Sequence, residues 1–224
     1  MLRGKWLYKS VFGSEEDAVV AEQKMGVILA NNLMDDIDIV EDPSMQNLIN
    51  EIGMNLCKQL KNQRREFRFY ILRSKDINAF ALPGGYIFIT LGLLNRIKNY
   101  QDEIAFVLSH EIMHVILGHP MSRIFAEYST QLISSVLMRV KKISAIANQL
   151  ITKYIRSNYS QENELEADAY GISLMQAVGY DSLQAKNLLG RLNSDSSDNP
   201  KILNYFQSHP PINERIKQIN SILQ

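Results

Sequence analysis

Three of the chain's four histidines, His110, His114 and His119, lie within ten positions. The first two belong to His110-Glu111-Ile112-Met113-His114, an H-E-x-x-H stretch. On an α-helix, residues four apart stand about one turn apart on the same face. Two imidazoles so placed can hold one zinc ion. Glu111 beside them can act as the base that takes a proton from the attacking water. A catalytic zinc takes three protein ligands and keeps a further position open. The best third ligand is in Glu164-Leu165-Glu166-Ala167-Asp168. Glu164 and Asp168 are four apart and share a face. Glu164 can complete a His2Glu set, and Asp168 can accept the free N–H of a ligating histidine and fix its tautomer. Glu162 and Glu166 are each two residues from Glu164 and point elsewhere. Glu164 alone has an Asp one turn later on its own face.

His119 follows His114 by five residues, about 140° round a continuous helix, so it should not reach the same ion. It reads as a helix cap or as a contact behind the ligands. A metzincin would need a histidine where Pro120 stands, so that class is excluded.

The elements that position these residues are legible from periodicity. Ile104, Val107, Leu108, Met113 and Leu117 give the H-E-x-x-H segment an apolar band at helical spacing. Asn99 is the expected N-cap, Asp102 and Glu103 suit the first turn, and Gly118 and Pro120 mark the end. The stretch Ser160 to Gly171 opens a second helix with an acidic first turn, where Ala167 and Gly171 are small enough for another helix to come close. Upstream, Glu15 to Met34 reads as a helix capped by Ser14, and Pro43 opens another running to Leu60. Phe67 to Leu72, Asn78 to Leu82 and Tyr86 to Thr90 read as strands, with Pro83-Gly84-Gly85 as the turn between the last two. The sheet they imply is antiparallel in part. Leu91 to Ile97 reads as a short helix. Met121 to Arg156 reads as long and helical, with Lys and Arg flanking an apolar stripe, which leaves peripheral membrane contact open as an alternative to core packing. The strand Tyr86–Thr90 is expected to be an edge that takes a substrate in extended form, with Tyr86 and Ile87 as contacts.

The chain has 224 residues, 46% of them hydrophobic, and a formal net charge of zero. That suffices for a buried core and leaves no basic footprint for nucleic acid. The basic run Lys58 to Arg65 reads as a solvated helix end and turn. The single cysteine, Cys57, excludes an internal disulfide and a cysteine-based zinc site. No secretory signal or transmembrane helix is visible, so the chain reads as soluble: cytoplasmic as it stands, periplasmic if a leader has been removed.

His110-Glu111-x-x-His114 followed by Glu164-x-x-x-Asp168 resembles the zinc metalloprotease family of the CAAX prenyl protease and HtpX, most closely its soluble periplasmic branch in outer-membrane quality control. Asn78-Ala79-Phe80 resembles that family's N-A-F segment. Ser208-His209-Pro210-Pro211 with Arg215 resembles its S-H-P element, and Glu22 to Gly26 its E-x-x-x-G start. The resemblance implies a compact gluzincin: an α+β, zincin-like fold, mostly helical, with a small sheet beside the active-site helix. The transmembrane helices of HtpX and the CAAX enzyme have no counterpart here, so an intramembrane chamber is not implied. The resemblance also puts His209 at the site, either stabilising the oxyanion or occupying the water position and holding the enzyme latent. By the same resemblance Asn78 contacts the substrate backbone or the oxyanion. Arg215 is expected to anchor the His209 turn through a carboxylate.

These readings combine into one expectation: a single unit over 1–224, with a helical extension (1–40) on a catalytic core (41–224). It would be a zinc metalloendopeptidase with one zinc per chain, held by His110, His114 and Glu164. Glu111, Asp168 and His209 would form the catalytic machinery and a protein or peptide would be the substrate. The rival is a latent, zinc-bound, chaperone-like module plugged by His209. A metal-free helical scaffold is a weaker one.

Overall fold

The computed structural model describes residues 14–61, 64–127, 154, 158–195, 209 and 212–223. Helix α1 spans Glu15–Asp36 and begins as expected, with Ser14 Oγ accepting from the Asp17 amide. Helix α2 spans Pro43–Lys58, with Asp42 as cap and Pro43 in its first turn, where the missing N–H costs nothing. The strands are β1 (Arg68–Leu72), β2 (Ala79–Leu82) and β3 (Tyr86–Thr90). Gly84 and Gly85, at φ 75° and 89°, make the turn from β2 to β3. Helix α3 (Leu91–Ile97) follows, capped by Thr90 Oγ1. Then come α4 (Gln101–Ile116), α5 (His119–Glu127), α6 (Gln161–Val178), α7 (Leu183–Asp195) and α8 (Ile212–Ile222). The architecture is the zincin-like α+β class expected, mostly helical with a three-stranded sheet. The long helical segment expected after Met121 is described only to Glu127. The rest, with the membrane-facing alternative built on it, lies outside the described residues apart from Tyr154.

One expectation about the sheet is overturned. Its order is β1-β3-β2, with β3 parallel to β1 and antiparallel to β2. Tyr86–Thr90 is therefore the central strand, and neither Tyr86 nor Ile87 has a free main-chain edge to offer a substrate. Its side chains are buried on both faces. Ile87 and Ile89 join the cluster built on α2, α4, α6, α7 and α8, while Tyr86 and Phe88 join Met25, Leu29 and Leu33 of α1. The edges of the sheet are β1 and β2. Beside β1 the chain at Asp38–Val40 donates to Ile71 O and accepts from Arg73 N. On β2, Asn78 O accepts from Thr90 N, so residues 78, 80 and 82 face β3 and the carbonyls of Ala79 and Ala81 face outward.

Helix α4 lies at the centre, with every residue from Glu103 to Val115 buried. Its N-cap is Tyr100 rather than Asn99, without a side-chain cap bond. Gly118, at φ 76°, ends it as expected. Helix α5 then leaves at 59° to α4. Among the described residues no single helix is long and apolar enough to cross a membrane. Helix α6 crosses α4 where Gly171 stands. A Cβ there would lie 3.2 Å from Ser109 Oγ and 3.3 Å from His110 N, so the small residue permits the approach. Cys57 is buried in the core, and burial pushes its thiol up to about 12.

Glu22 and Arg65 form a pair that local pattern did not reveal. Arg65 Nε and Nη2 donate to the Glu22 carboxylate at 2.7 and 3.1 Å, with side chains 6% and 2% exposed. Arg65 is thus not part of a solvated basic run.

Candidate metal centre

His110 and His114 leave α4 one turn apart, with their Nε2 atoms 2.9 Å from each other. Glu164 arrives from the first turn of α6, its Oε1 3.2 Å from His114 Nε2 and its Oε2 3.5 Å from His110 Nε2. His209 closes the group, with Nδ1 3.1 Å from both Glu164 oxygens and 3.4 Å from His110 Nε2. One ligand atom from each of the four lies within 4.8 Å of the others, and all four residues are buried, a set that could hold a metal ion. Two imidazoles, a carboxylate and a third imidazole are the nitrogen and oxygen donors that zinc prefers. Glu162 is exposed, and Glu166 turns away towards His119.

Behind these residues a further layer is ordered. His110 Nδ1 is 2.8 Å from Asp168 Oδ1, the placement the four-residue spacing predicts. Arg215 is fully buried. Its Nε and Nη2 donate to the two Asp168 oxygens at 2.7 and 2.8 Å, and its Nη1 lies 3.1 Å from Glu164 Oε2 and 3.4 Å from His209 O. Arg215 thus ties the His209 turn to both carboxylates. Glu111 is buried, with Oε1 3.6 Å from His209 Nε2. Its Oε2 has no hydrogen-bond partner among the described residues. A buried carboxylate oxygen without a protein partner is costly. It suits a group whose partner is a reacting molecule.

Sequence reasoning missed an aromatic cluster on the other side of His114. Tyr159 stacks on the His114 ring at 4.0 Å and 14°. Arg123, from α5, lies over Tyr154 at 3.6 Å and over Tyr159 at 4.1 Å, and donates to Tyr154 O. The two tyrosine hydroxyls are 2.9 Å apart, and Tyr154 donates to Ala81 O at 2.6 Å. The other outward carbonyl of β2, Ala79 O, accepts from His209 Nε2 at 3.2 Å. Asn78, just before β2, is buried, and its N–H donates to Thr90 Oγ1. No periodicity or charge pattern places Tyr154 or Tyr159. The only signal is that Tyr159 directly precedes the Ser160 cap of α6.

Burial is the largest single influence on the protonation of Glu111, His110, His114, His119, Glu164 and Asp168, yet charged neighbours together outweigh it at His110, Glu164 and Asp168. Burial raises Glu111, reinforced by Glu164 and opposed chiefly by His209 and His110. Burial and Arg215 work against a proton on His110, but Glu164 and Asp168 outweigh them and hold it at about 9. Burial and the His110 charge push His114 well below the usual histidine range, and burial takes His119 down to about 4. Glu164 and Asp168 are lowered despite their burial. His209 and Arg215 do most for Glu164, and Arg215 most for Asp168. Without a metal the centre is therefore an ionised carboxylate pair against Arg215 and His110.

A small sheet, a helix bearing H-E-x-x-H and a second helix delivering a carboxylate to the same point are the parts that a metallopeptidase site requires. Residues 43–223 match the model of Peptidase family M48, and the chain belongs to that family. It is 27% identical over 197 residues to the Beta-barrel assembly-enhancing protease of Escherichia coli, covering 81% of this chain and 40% of that protein. It is 29% identical over 160 residues to the Metalloprotease YcaL of the same organism, covering 67% and 60%. It is 28% identical over 159 residues to the Mitochondrial metalloendopeptidase OMA1 of Schizosaccharomyces pombe, covering 70% and 47%. The chain spans about two-fifths of the length of the beta-barrel assembly-enhancing proteases it matches. The family is the one the motifs resemble. Its members depend on a metal.

Proposed function

We propose that this chain is a zinc-dependent endopeptidase of protein quality control, with one zinc held by His110, His114 and Glu164. The observation that carries this is the convergence of both His Nε2 atoms on the Glu164 carboxylate, with the buried, half-unpaired Glu111 carboxylate alongside. Zinc would supply the Lewis acidity that brings the ionisation of water towards neutral pH. Glu111, its own pKa raised by burial, takes the proton of the attacking water and returns it to the leaving amine. Asp168, backed by Arg215, holds His110 with its proton on Nδ1 and so leaves Nε2 as the donor atom. The quality-control role rests on the relatives that are named for enhancing beta-barrel assembly.

A substrate in extended form would pair with β2, not β3, and to do so it would displace His209 Nε2 from Ala79 O and Tyr154 Oη from Ala81 O, the two outward carbonyls of that strand. Asn78, just before that strand, is proposed to contact the substrate backbone or the oxyanion. Glu111→Gln should keep stoichiometric zinc and lose casein cleavage by about 100-fold or more. Cleavage at the parent's rate would sink the mechanism.

A second reading, a latent enzyme, is favoured by His209. Its Nδ1 stands among the ligand atoms while its Nε2 occupies Ala79 O. His209→Ala should raise peptidase activity if the imidazole is a plug, and lower it if it stabilises the oxyanion.

A further inference from the structure

His110 and His114 both turn Nε2 inwards, so each needs its proton on Nδ1 and an acceptor for it. Asp168 serves His110. For His114, the partner at Nδ1 among the described residues is His119, whose own Nδ1 lies 2.9 Å away. Two ring nitrogens at that distance share one proton: one donates and the other accepts. Because His114 must keep Nε2 free, its Nδ1–H is the donor. The accepting ring, His119, then carries its proton on Nε2. That atom faces Glu166 Oε2 at 3.6 Å, an approach that favours a proton there.

We propose that His119 is a positioning residue that accepts the Nδ1–H of His114 and so fixes the orientation and tautomer of that metal ligand. The assignment rests on the zinc reading of His114. Chain geometry supports it. On a continuous helix His119 would stand about 140° from His114. Gly118, at φ 76°, breaks α4, and the first residue of α5 swings back behind the ligand. His119 is 5% exposed, and the rings meet edge to face, 5.0 Å between centroids at 67°. Tyr159, stacked on the face of His114, restrains the ring in the remaining direction. Glu166, two residues from Glu164 on α6, thereby gains a part in the same site.

The test is zinc affinity, measured by chromophoric chelator competition on metal-stripped protein, for the parent, His114→Ala, His119→Leu, His119→Asn and His119→Gln. Asparagine puts an acceptor oxygen where Nδ1 stands, whereas glutamine puts its amide one bond further out. His119→Leu should bind zinc 10- to 100-fold more weakly. His119→Asn should stay within a few-fold of the parent, and His119→Gln should fall with leucine. The cobalt-substituted His119→Leu protein should show a shifted d–d spectrum, which a remote structural defect would not give. Parent-like affinity in His119→Leu overturns the proposal. If leucine prevents folding, the Asn and Gln variants decide, and equal affinities for these two overturn it. If the parent binds no zinc, or His114→Ala binds it equally well, the zinc reading itself fails, and this assignment with it.

Discussion

At the scale of single residues the site divides its work by ring nitrogen and carboxylate oxygen. His110 shows the division most fully: Nδ1 on Asp168, Nε2 on the centre. Asp168→Ala would strip Arg215 of its two-pronged partner inside the protein. Removing one member of a buried pair costs about 3–5 kcal/mol, so this variant should melt lower and bind zinc roughly 10- to 100-fold more weakly. Asp168→Asn keeps an acceptor and should lose less of both, as calorimetry and zinc titration would show. The histidines set a pH profile for the metal-free protein. His110 is held at about 9 against an ordinary 6.5, so the folded form keeps a proton that the unfolded chain releases. Its contribution is complete below pH 6.5 and is lost as pH rises through about 9. His119 is lowered to about 4, so the unfolded chain takes up a proton first, and stability falls as pH drops from 6.5 towards 4. His114, lowered for the same main reason, adds to the acid side. Melting of the metal-free protein should thus be highest near pH 6.5 and decline on both sides. A curve still rising towards pH 9 would contradict the His110 assignment.

At the scale of elements, what positions the site is the crossing of α4 and α6. The sequence displays that crossing through Ala167 and Gly171, since only small residues let two backbones approach. Gly171→Ala asks Ser109 and the His110 backbone to give by a few tenths of an ångström. Gly171→Val asks for more and would lever Glu164 and Asp168 away from His110. Expected are mild weakening of zinc binding in alanine and a loss of tenfold or more in valine, with far-UV circular dichroism unchanged. Valine with parent affinity would show that the crossing tolerates displacement. Helix identity was legible because 3.6-residue periodicity and caps are local: Ser14 and Gly118 serve at the helix ends where they are expected. Strand neighbours were harder, because β1 pairs with β3 across the intervening β2. One signal in Tyr86-Ile87-Phe88-Ile89-Thr90 was available. An unbroken apolar run, buried on both faces, marks a central strand rather than an edge. Asn99 misled because a capping residue type two positions before a helix is not a cap unless its side chain reaches the amides.

At the scale of the whole molecule the candidate ligands come from three separate stretches, on α4, on α6 and at His209 before α8. Their meeting is a tertiary event. Spacing could find the pairs His110–His114 and Glu164–Asp168, since each is one helical turn. It could not find the distances between pairs, nor Tyr154 and Tyr159, nor the Glu22–Arg65 tie between α1 and the loop before β1, 43 residues apart in sequence. Those depend on the complete fold. On the proposed zinc reading, the same fact gives the metal a share in stability. In the unfolded chain the candidate ligand sets are far apart, so zinc would bind the folded form preferentially. Free zinc at 1,000 times its dissociation constant should then add about 4 kcal/mol. In the metal-free protein the centre still holds ionised Glu164 and Asp168 against Arg215 and His110, so removing zinc should loosen the fold without abolishing it. Chelation should lower the melting temperature by several degrees, and added zinc should restore it. Glu111→Gln, which leaves the proposed ligands intact, should behave like the parent. His114→Ala should melt at one temperature with or without zinc. Arg65→Ala, outside the candidate ligand set, should lower both melting curves equally, because it removes one side of the buried Glu22–Arg65 pair. If chelation shifts His114→Ala as much as the parent, zinc is stabilising the chain at some other place, and the His2Glu assignment falls.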